Sequence, residues 1–330
     1  MRRALVTGAL GQDGSYMCEH LLSMGYDVWG AVRYEAHNKR QHEHYLVGVN
    51  YRFADMRDKL SLETLIRTCY PDEIYNFAGQ VFVPTSWTQP ENTFNVNTSG
   101  LARILDIVDH VCLKARVYQA SSSEMFGNTI TDGREVKQVL DENSPMRPVS
   151  PYGASKLAAH NLVDVYRQKG LFVASGIAFN HESPRRGSEM VTRKITKHAA
   201  AAKSGRGVGP LKLGNIQSKR DWGFAGDYVK AMYLMLQQSY PDDYVIGTGE
   251  AHSVNDFVHA ASESAEVVFE VQAQSPEFTR DNELHCLVAD CSKAKNKLGW
   301  KPETSFKELV NMMVREDYKQ YTQELVCSTQ

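Results

Sequence analysis

Tyr152 and Lys156 lie four residues apart in the run Ser150-Pro151-Tyr152-Gly153-Ala154-Ser155-Lys156. Ser150 suits a helix N-cap and Pro151 the first helical position, so the spacing predicts a helix running to Gly170 with Tyr152 in its first turn. The two side chains then share a face, where an ammonium and the helix N-terminal dipole both favour phenolate over phenol. A tyrosine so placed could take a proton from an alcohol. The pair is weak alone, because a chain with 16 tyrosines meets a lysine at that spacing by chance about once. Ser122 and Glu124 form a second set. Two apart on an extended strand tip, they would project the same way. A lone Ser-x-Glu there more often caps a turn or meets solvent, but beside a cofactor site it becomes an acid/base candidate.

These residues need a scaffold, and the N-terminal half reads as one. Ala4-Leu5-Val6-Thr7 leads into Gly8-Ala9-Leu10-Gly11-Gln12-Asp13-Gly14, and a helical pattern (Met17, Leu21, Leu22) then stops at Gly25. Strand, glycine turn and helix in that order let backbone N–H groups approach a pyrophosphate at the helix N-terminus. The spacing is GxxGxxG, the short-chain dehydrogenase pattern, and it points to a dinucleotide. A second strand, 27–32, ends at Arg33, where a free ribose 2′-hydroxyl is usually met by Asp or Glu; arginine suits a 2′-phosphate and favours NADP over NAD. A third strand, 51–53, brings Asp55 and Met56 to a position that could flank an adenine. Further strands are expected at 73–78, 115–121 and 171–179, with helices at 93–110 and around Leu62, Leu65 and Ile66.

Beyond residue 180 the alternation loosens. A helix over 192–204, a helix over 228–238 and a strand at 243–246 suggest a return to the sheet, and two more helices follow Ser253. The expected architecture is α/β: a doubly wound parallel sheet of Rossmann type over 1–180, with a return at 218–247, and a smaller α/β substrate lobe over 181–330 woven from separated segments.

Composition excludes other classes. Lys+Arg total 37 against 39 Asp+Glu, with no basic stripe, so neither nucleic acid nor membrane is an expected partner. No apolar run reaches the roughly 20 residues that span a bilayer, and no signal peptide precedes the first strand; the expected location is the cytoplasm. The six cysteines lack ligand spacing and read as reduced packing residues. His42-Glu43-His44 lacks companion ligands, so no metal is expected.

Taken together, the glycine turn and the Ser/Tyr/Lys set resemble an extended short-chain dehydrogenase/reductase. Gln119-Ala120-Ser121-Ser122-Ser123-Glu124-Met125-Phe126-Gly127, Phe179-Asn180-His181-Glu182-Ser183-Pro184-Arg185-Arg186-Gly187, Val191-Thr192-Arg193-Lys194, Lys219-Arg220-Asp221-Trp222-Gly223 and Lys297-Leu298-Gly299-Trp300-Lys301-Pro302 resemble the GDP-mannose 4,6-dehydratase family, in the family's order over nearly the whole chain. The resemblance implies a tightly bound, recycled NADP, a GDP-sugar substrate and a homo-oligomer, dimer or tetramer. It implies that Tyr152, lowered in pKa by Lys156, takes the C4 hydroxyl proton, that Glu124 removes the C5 proton and helps the C6 hydroxyl leave, and that Ser122 hydrogen-bonds at the same oxygens. The cofactor would meet Gly8, Gly11, Gln12, Asp13, Gly14, Arg33, Asp55, Met56, Phe77, Ala78, Gln80, His181 and Arg186 as well as Tyr152 and Lys156. The substrate would meet Ser86, Ser122, Glu124, Asn180, Lys194 and Gly214, with Arg220 and Arg280 on its diphosphate and Glu283 near the guanosine ribose.

The chain departs from the family in three places: Ser122 replaces a usual Thr, Arg33-Tyr34-Glu35-Ala36 replaces Arg-Arg-Ser-Ser, and Val81-Phe82 borders the sugar where Ser usually comes first. The rival readings are the same elimination on a GDP-manno-heptose, an epimerase or reductase of this fold, and an NADP-sensing module. Glu124 argues against epimerase and reductase, which need no base coupled to loss of water.

Overall fold

The computed structural model describes residues 1–34, 43–128, 130–131, 134–135, 138–278 and 286–328. Among them, a seven-stranded sheet is formed by β1 (Arg3–Thr7), β2 (Asp27–Val32), β3 (Asn50–Phe53), β4 (Glu73–Asn76), β5 (Arg116–Ser122), β6 (Val173–Ala178) and β7 (Asp243–Ile246). The order in space is β7-β6-β5-β4-β1-β2-β3, and every neighbouring pair is parallel. The chain leaves β3 at one edge and returns to β4 on the far side of β1. That reversal opens a crevice at the carboxyl ends of β1 and β4, where open α/β sheets hold their ligands.

Strands buried on both faces read as near-continuous apolar runs, as β1 and β6 do, whereas the edge strand β3 is exposed along its length. On one face the helices Gln12–Ser23 and Ala225–Leu236 pack Met17, Leu21, Met232 and Met235 against Val6 and Tyr118. On the other, Lys59–Cys69, Gly100–Val111 and Pro151–Gln168 supply Leu62, Ile66, Ile104, Val108 and Val163. Each fully buried side chain of this size contributes about 1.5–3 kcal/mol by leaving water. The helix expected over 93–110 proves to be three pieces, Pro90–Phe94, a π turn at Asn95–Ser99 and Gly100–Val111. Gly100 is needed there because a Cβ would stand 2.8 Å from the Met56 methyl.

A separate core lies beyond residue 190. The helices Val191–Lys203, Val254–Ala265 and Phe306–Ser328 close around Ile195, Trp222, Phe257, Leu309 and Met313. Beside them a small sheet joins His252–Ser253, Lys219–Arg220, Cys286–Ala289 and Gln138–Leu140, segments far apart in sequence. No helix among the described residues is long and apolar enough to cross a membrane.

Candidate active site

Ser150 begins the site. Its extended backbone (φ −140°, ψ 154°) and its hydroxyl, which accepts from the Gly153 N–H at 3.0 Å, cap the helix Pro151–Gln168. Gly153 has a second role, since a Cβ there would lie 2.6 Å from the Glu124 carbonyl oxygen. The helix start can therefore press against the turn that carries Glu124, and Tyr152 and Glu124 come to line one cavity.

The strand tip before that turn differs from its expected form. Past Ser122 the chain does not stay extended but enters a 3₁₀ turn, Ser123–Met125, and the Ser122 hydroxyl accepts from the Glu124 N–H at 3.3 Å. A short hydroxyl side chain competes well for a nearby amide, which is why the strand ends there. Ser122 is also a hydrogen-bond partner of the Tyr152 phenol.

A further correction concerns the phenol's acidity. Burial pushes Tyr152 up to about 12 and the Glu124 charge adds to this; the Ser122 hydrogen bond and the Arg186 charge oppose it without prevailing. The Lys156 ammonium donates to the Ala120 carbonyl at 2.9 Å and stands 5.8 Å from the Tyr152 ring centroid, and the phenol stays high despite it. Lys156 is itself shifted down to about 8 by burial, against the pull of the Asp13 carboxylate.

The glycine turn fits an anion. Gly8 adopts φ +67°, and its missing Cβ would sit 3.0 Å from the Ala78 nitrogen; a Cβ on Gly14 would sit 2.2 Å from the Gly8 oxygen. Gly11 precedes the helix Gln12–Ser23 and offers no side-chain cap. Its opening N–H groups thus keep their capacity for an external acceptor such as a pyrophosphate. Ala78 is fixed beside the turn by its N–H bond to Thr7 Oγ1 at 3.0 Å.

One cavity of about 560 Å³ receives Asp13, Phe77, Ser122, Glu124, Tyr152, Lys156, Asn180, His181, Arg186, Lys194, Gly214 and Arg220. The glycine turn, strand tip, helix start and segments near 180, 194, 214 and 220 therefore converge. Arg33 is exposed at the end of β2, and its charge acts on Asp55, whose carboxylate is held chiefly by Arg57 at 2.9 and 2.7 Å.

Other expected residues point elsewhere. Ser86 is fully buried with its hydroxyl on the Val83 carbonyl at 2.6 Å, a bond within its own helix that turns it from the cavity. The Met56 side chain packs in the core against Gly100. Gln80 donates from its backbone to Asn97 Oδ1 at 2.8 Å and from its side chain to the Phe82 carbonyl at 2.8 Å. Arg280 and Glu283, and His42, Glu35 and Ala36, lie outside the described residues.

Several residues at the site were given no role from the sequence. Asn97, in the π turn, clamps the Gln80 backbone on both sides and reaches Ser155 at 3.0 Å. Phe278 lies under the Lys194 ammonium, 3.8 Å from nitrogen to ring centroid. Ser183 donates to Gln12 at 2.8 Å, and Arg185 bonds Ser15 at 3.1 Å while lying 3.9 Å over the Tyr16 ring. The segment after β6 is thereby stitched to the glycine-turn helix.

A family model described as GDP-mannose 4,6 dehydratase matches residues 5–313. The chain belongs to the GDP-mannose 4,6-dehydratase family. It is 43% identical to GDP-mannose 4,6 dehydratase 2 of Arabidopsis thaliana over 98% of this chain and 88% of the relative. Identity to the GDP-mannose 4,6 dehydratase of Homo sapiens is 40%, over 95% of this chain and 91% of that one. For the Sinorhizobium fredii GDP-mannose 4,6-dehydratase it is 38%, over 95% and 96%. Among solved structures, the Thermus thermophilus UDP-glucose 4-epimerase, a complex with NAD, superposes with a TM-score of 0.83 at 28% identity, over 96% of this chain and 98% of that one. The Pseudomonas aeruginosa protein RMD, complexed with NADPH, shares the fold at a TM-score of 0.80 and 21% identity, over 97% and 100%. This member of the GDP-mannose 4,6-dehydratase family thus has the doubly wound sheet of its epimerase neighbours, with Glu124 beside the Tyr152 and Lys156 pair.

Proposed function

We propose that the chain is a hydro-lyase that converts GDP-mannose to GDP-4-keto-6-deoxymannose, with NADP as a retained cofactor. The observation that carries this reading is the packing of the Glu124 turn against Gly153, which puts a carboxylate and the Tyr152 phenol on one cavity wall. A phenol and a lysine suffice to move a proton at an alcohol; the added carboxylate is what an elimination needs.

In this reading Tyr152 receives the proton of the C4 hydroxyl as C4 is oxidised, which requires its phenolate, formed against the burial that pushes the phenol up to about 12. The resulting ketone acidifies the C5 hydrogen. Glu124 takes that proton and returns it to the departing C6 hydroxyl, so that the C6–O bond breaks and water leaves. Ser122, bonded to the phenol, shares its hydroxyl with the same oxygens. When bound, a nicotinamide dinucleotide would supply reversible hydride storage between C4 and C6, so that no net redox change would result. A proton added at C5 completes the product and balances the one that Tyr152 took at C4, with solvent exchange between the two.

The glycine turn, Asp13 and Phe77 would hold the dinucleotide, with Arg33 beside a 2′-phosphate. Lys194 and Arg220 suit the diphosphate, Arg220 through its planar guanidinium. The working form in this proposal is a cytoplasmic homo-oligomer.

Incubating the protein with GDP-mannose and sub-stoichiometric NADP in D₂O, then analysing the sugar by NMR, tests the reading. The expected product is a 4-keto-6-deoxy sugar with deuterium at C5, formed in many turnovers without added reductant. Product from a GDP-manno-heptose but none from GDP-mannose would move the substrate assignment. Consumption of NADPH in proportion to product would replace the lyase with a reductase.

A further inference from the structure

His181 lies on the cavity wall with both ring nitrogens against acceptors. Nδ1 faces the Phe179 carbonyl oxygen at 2.7 Å and Nε2 faces Asp13 Oδ2 at 2.9 Å. A carbonyl oxygen cannot donate, and the other Asp13 oxygen already accepts from Gln12 Nε2 at 3.0 Å. Against the upward push of burial, the charge and hydrogen bond of His181 hold the Asp13 carboxyl down to about 2, so Asp13 accepts; either neutral tautomer would then leave one ring nitrogen lone pair directed at an acceptor, and the arrangement calls for both ring protons. The ring is also held flat on Tyr228, with centroids 4.8 Å apart and planes 27° from parallel. Two other cations reach Asp13 by charge, Arg186 and Lys156; Arg186 pairs with Glu182 at 3.1 Å and the Lys156 ammonium donates to the Ala120 carbonyl, which leaves His181 as the cation bonded to Asp13.

Asp13 occupies the first turn of the helix Gln12–Ser23, the same turn whose N–H groups fit a pyrophosphate. The helix dipole favours a carboxylate there, but an uncompensated carboxylate repels a second anion brought to the same place. Resting on the dinucleotide reading above, we infer that His181 is a fixed imidazolium that neutralises Asp13, so that the turn can accept an anionic cofactor. His181 is then a positioning residue that acts through Asp13. It also ties the glycine turn to the segment bearing Asn180, because Gln12 Nε2 donates to the His181 carbonyl at 3.0 Å.

The test is a binding cycle on the full chain freed of dinucleotide, with NADP affinity read by calorimetry for wild type, His181→Gln, Asp13→Asn and the double variant. His181→Gln removes the cation bonded to the Asp13 carboxylate and should weaken NADP by about tenfold or more. Asp13→Asn, a change in the turn itself, sets its own baseline, and the double variant should match Asp13→Asn, because without the carboxylate His181 has nothing to neutralise. Equal affinity of His181→Gln and wild type would overturn the inference, as would a double variant weaker than Asp13→Asn by as much as His181→Gln is weaker than wild type. Should His181→Gln alone fail to fold, Asp13→Asn against the double variant decides: equal affinities support the inference and a tenfold gap overturns it. A wild-type chain without dinucleotide affinity would remove the cofactor reading itself, and this inference with it.

Discussion

The Lys156 ammonium donates to the Ala120 carbonyl at 2.9 Å and stands 5.8 Å from the centroid of the Tyr152 ring, one turn earlier on the same helix. Shared placement on a helix face has produced proximity without a bond. Both groups are buried, and burial disfavours the charged form of each: Tyr152 moves up to about 12 and Lys156 down to about 8. Burial therefore tightens the hold of Tyr152 on its proton and loosens that of Lys156.

The first prediction follows from the lysine. Below about 8 the folded and unfolded lysines are both protonated and the fold carries the whole desolvation penalty; between about 8 and 10.5 the unfolded chain keeps a proton that the folded chain has lost. Stability should therefore rise with pH across that window. Lys156→Met, close in volume, should be more stable than wild type at pH ~7 by about 1–2 kcal/mol, after the lost Ala120 bond is allowed for, and should lose that advantage near pH ~10. Turnover of GDP-mannose should fall by about 10²–10⁴. Urea midpoints at the two pH values check the claim, and a variant less stable than wild type at neutral pH would refute it.

Glu124 carries the second. Glu124→Gln keeps the shape of the side chain and removes its basicity, so elimination should fall by about 10²–10⁴ in kcat, with KM for GDP-mannose within a few-fold. C4 oxidation should survive as reduced cofactor formed at about one equivalent per site in a single turnover, read at 340 nm (approximately) by absorbance. Retained steady-state turnover would remove Glu124 from its role.

What sequence could reveal was whatever is decided by neighbours along the chain. Ser150 and Pro151 mark their helix because cap and first-turn geometry are local, and the spacing of Gly8, Gly11 and Gly14 reports a turn that closes on itself. The parallel order of the strands was legible from the alternation of apolar runs with helical periods. Other features depend on partners distant in sequence. His181 meets Asp13 across 168 positions, and the Tyr152 acidity follows from burial that no spacing encodes. Ser86 and Met56 sit in segments that border the site, yet their side chains were claimed by a helix carbonyl and by the core. The turn at Ser123–Met125 shows a local hydrogen bond overriding a strand-tip expectation.

A third prediction concerns the helix that bears Lys194. One turn of that helix also carries Arg193 and Thr196, and both bond Asp317 on the last helix at 2.6 Å; Arg193 is 5% exposed and Asp317 1%. Removing one partner of such a pair leaves a buried charge without compensation. Asp317→Ala should lower unfolding stability by about 3–5 kcal/mol, whereas Arg193→Met with Asp317→Leu should recover most of the loss. Denaturant unfolding of the three proteins measures this, and a neutral Asp317→Ala would show the pair to be dispensable.

The glycine turn gives the last prediction, because two of its glycines separate folding from binding. A Cβ on Gly14 would meet backbone at 2.2 Å (the Gly8 oxygen) and at 2.9 Å (Ala9 Cα), with no side chain to move aside, whereas a Cβ on Gly11 would meet only the Gly8 oxygen, at 3.1 Å. Gly14→Ala should therefore lower the melting temperature and abolish dinucleotide binding together. Gly11→Ala needs only a small shift, its backbone being extended at φ −75° and ψ 171°, so the fold should tolerate it with less than about 1 kcal/mol of loss. If the turn approaches a pyrophosphate closely, the same methyl should still cost about tenfold or more in NADP affinity. Calorimetric binding set beside thermal unfolding distinguishes the cases, and a Gly11→Ala protein that binds NADP as well as wild type would place the pyrophosphate away from this turn.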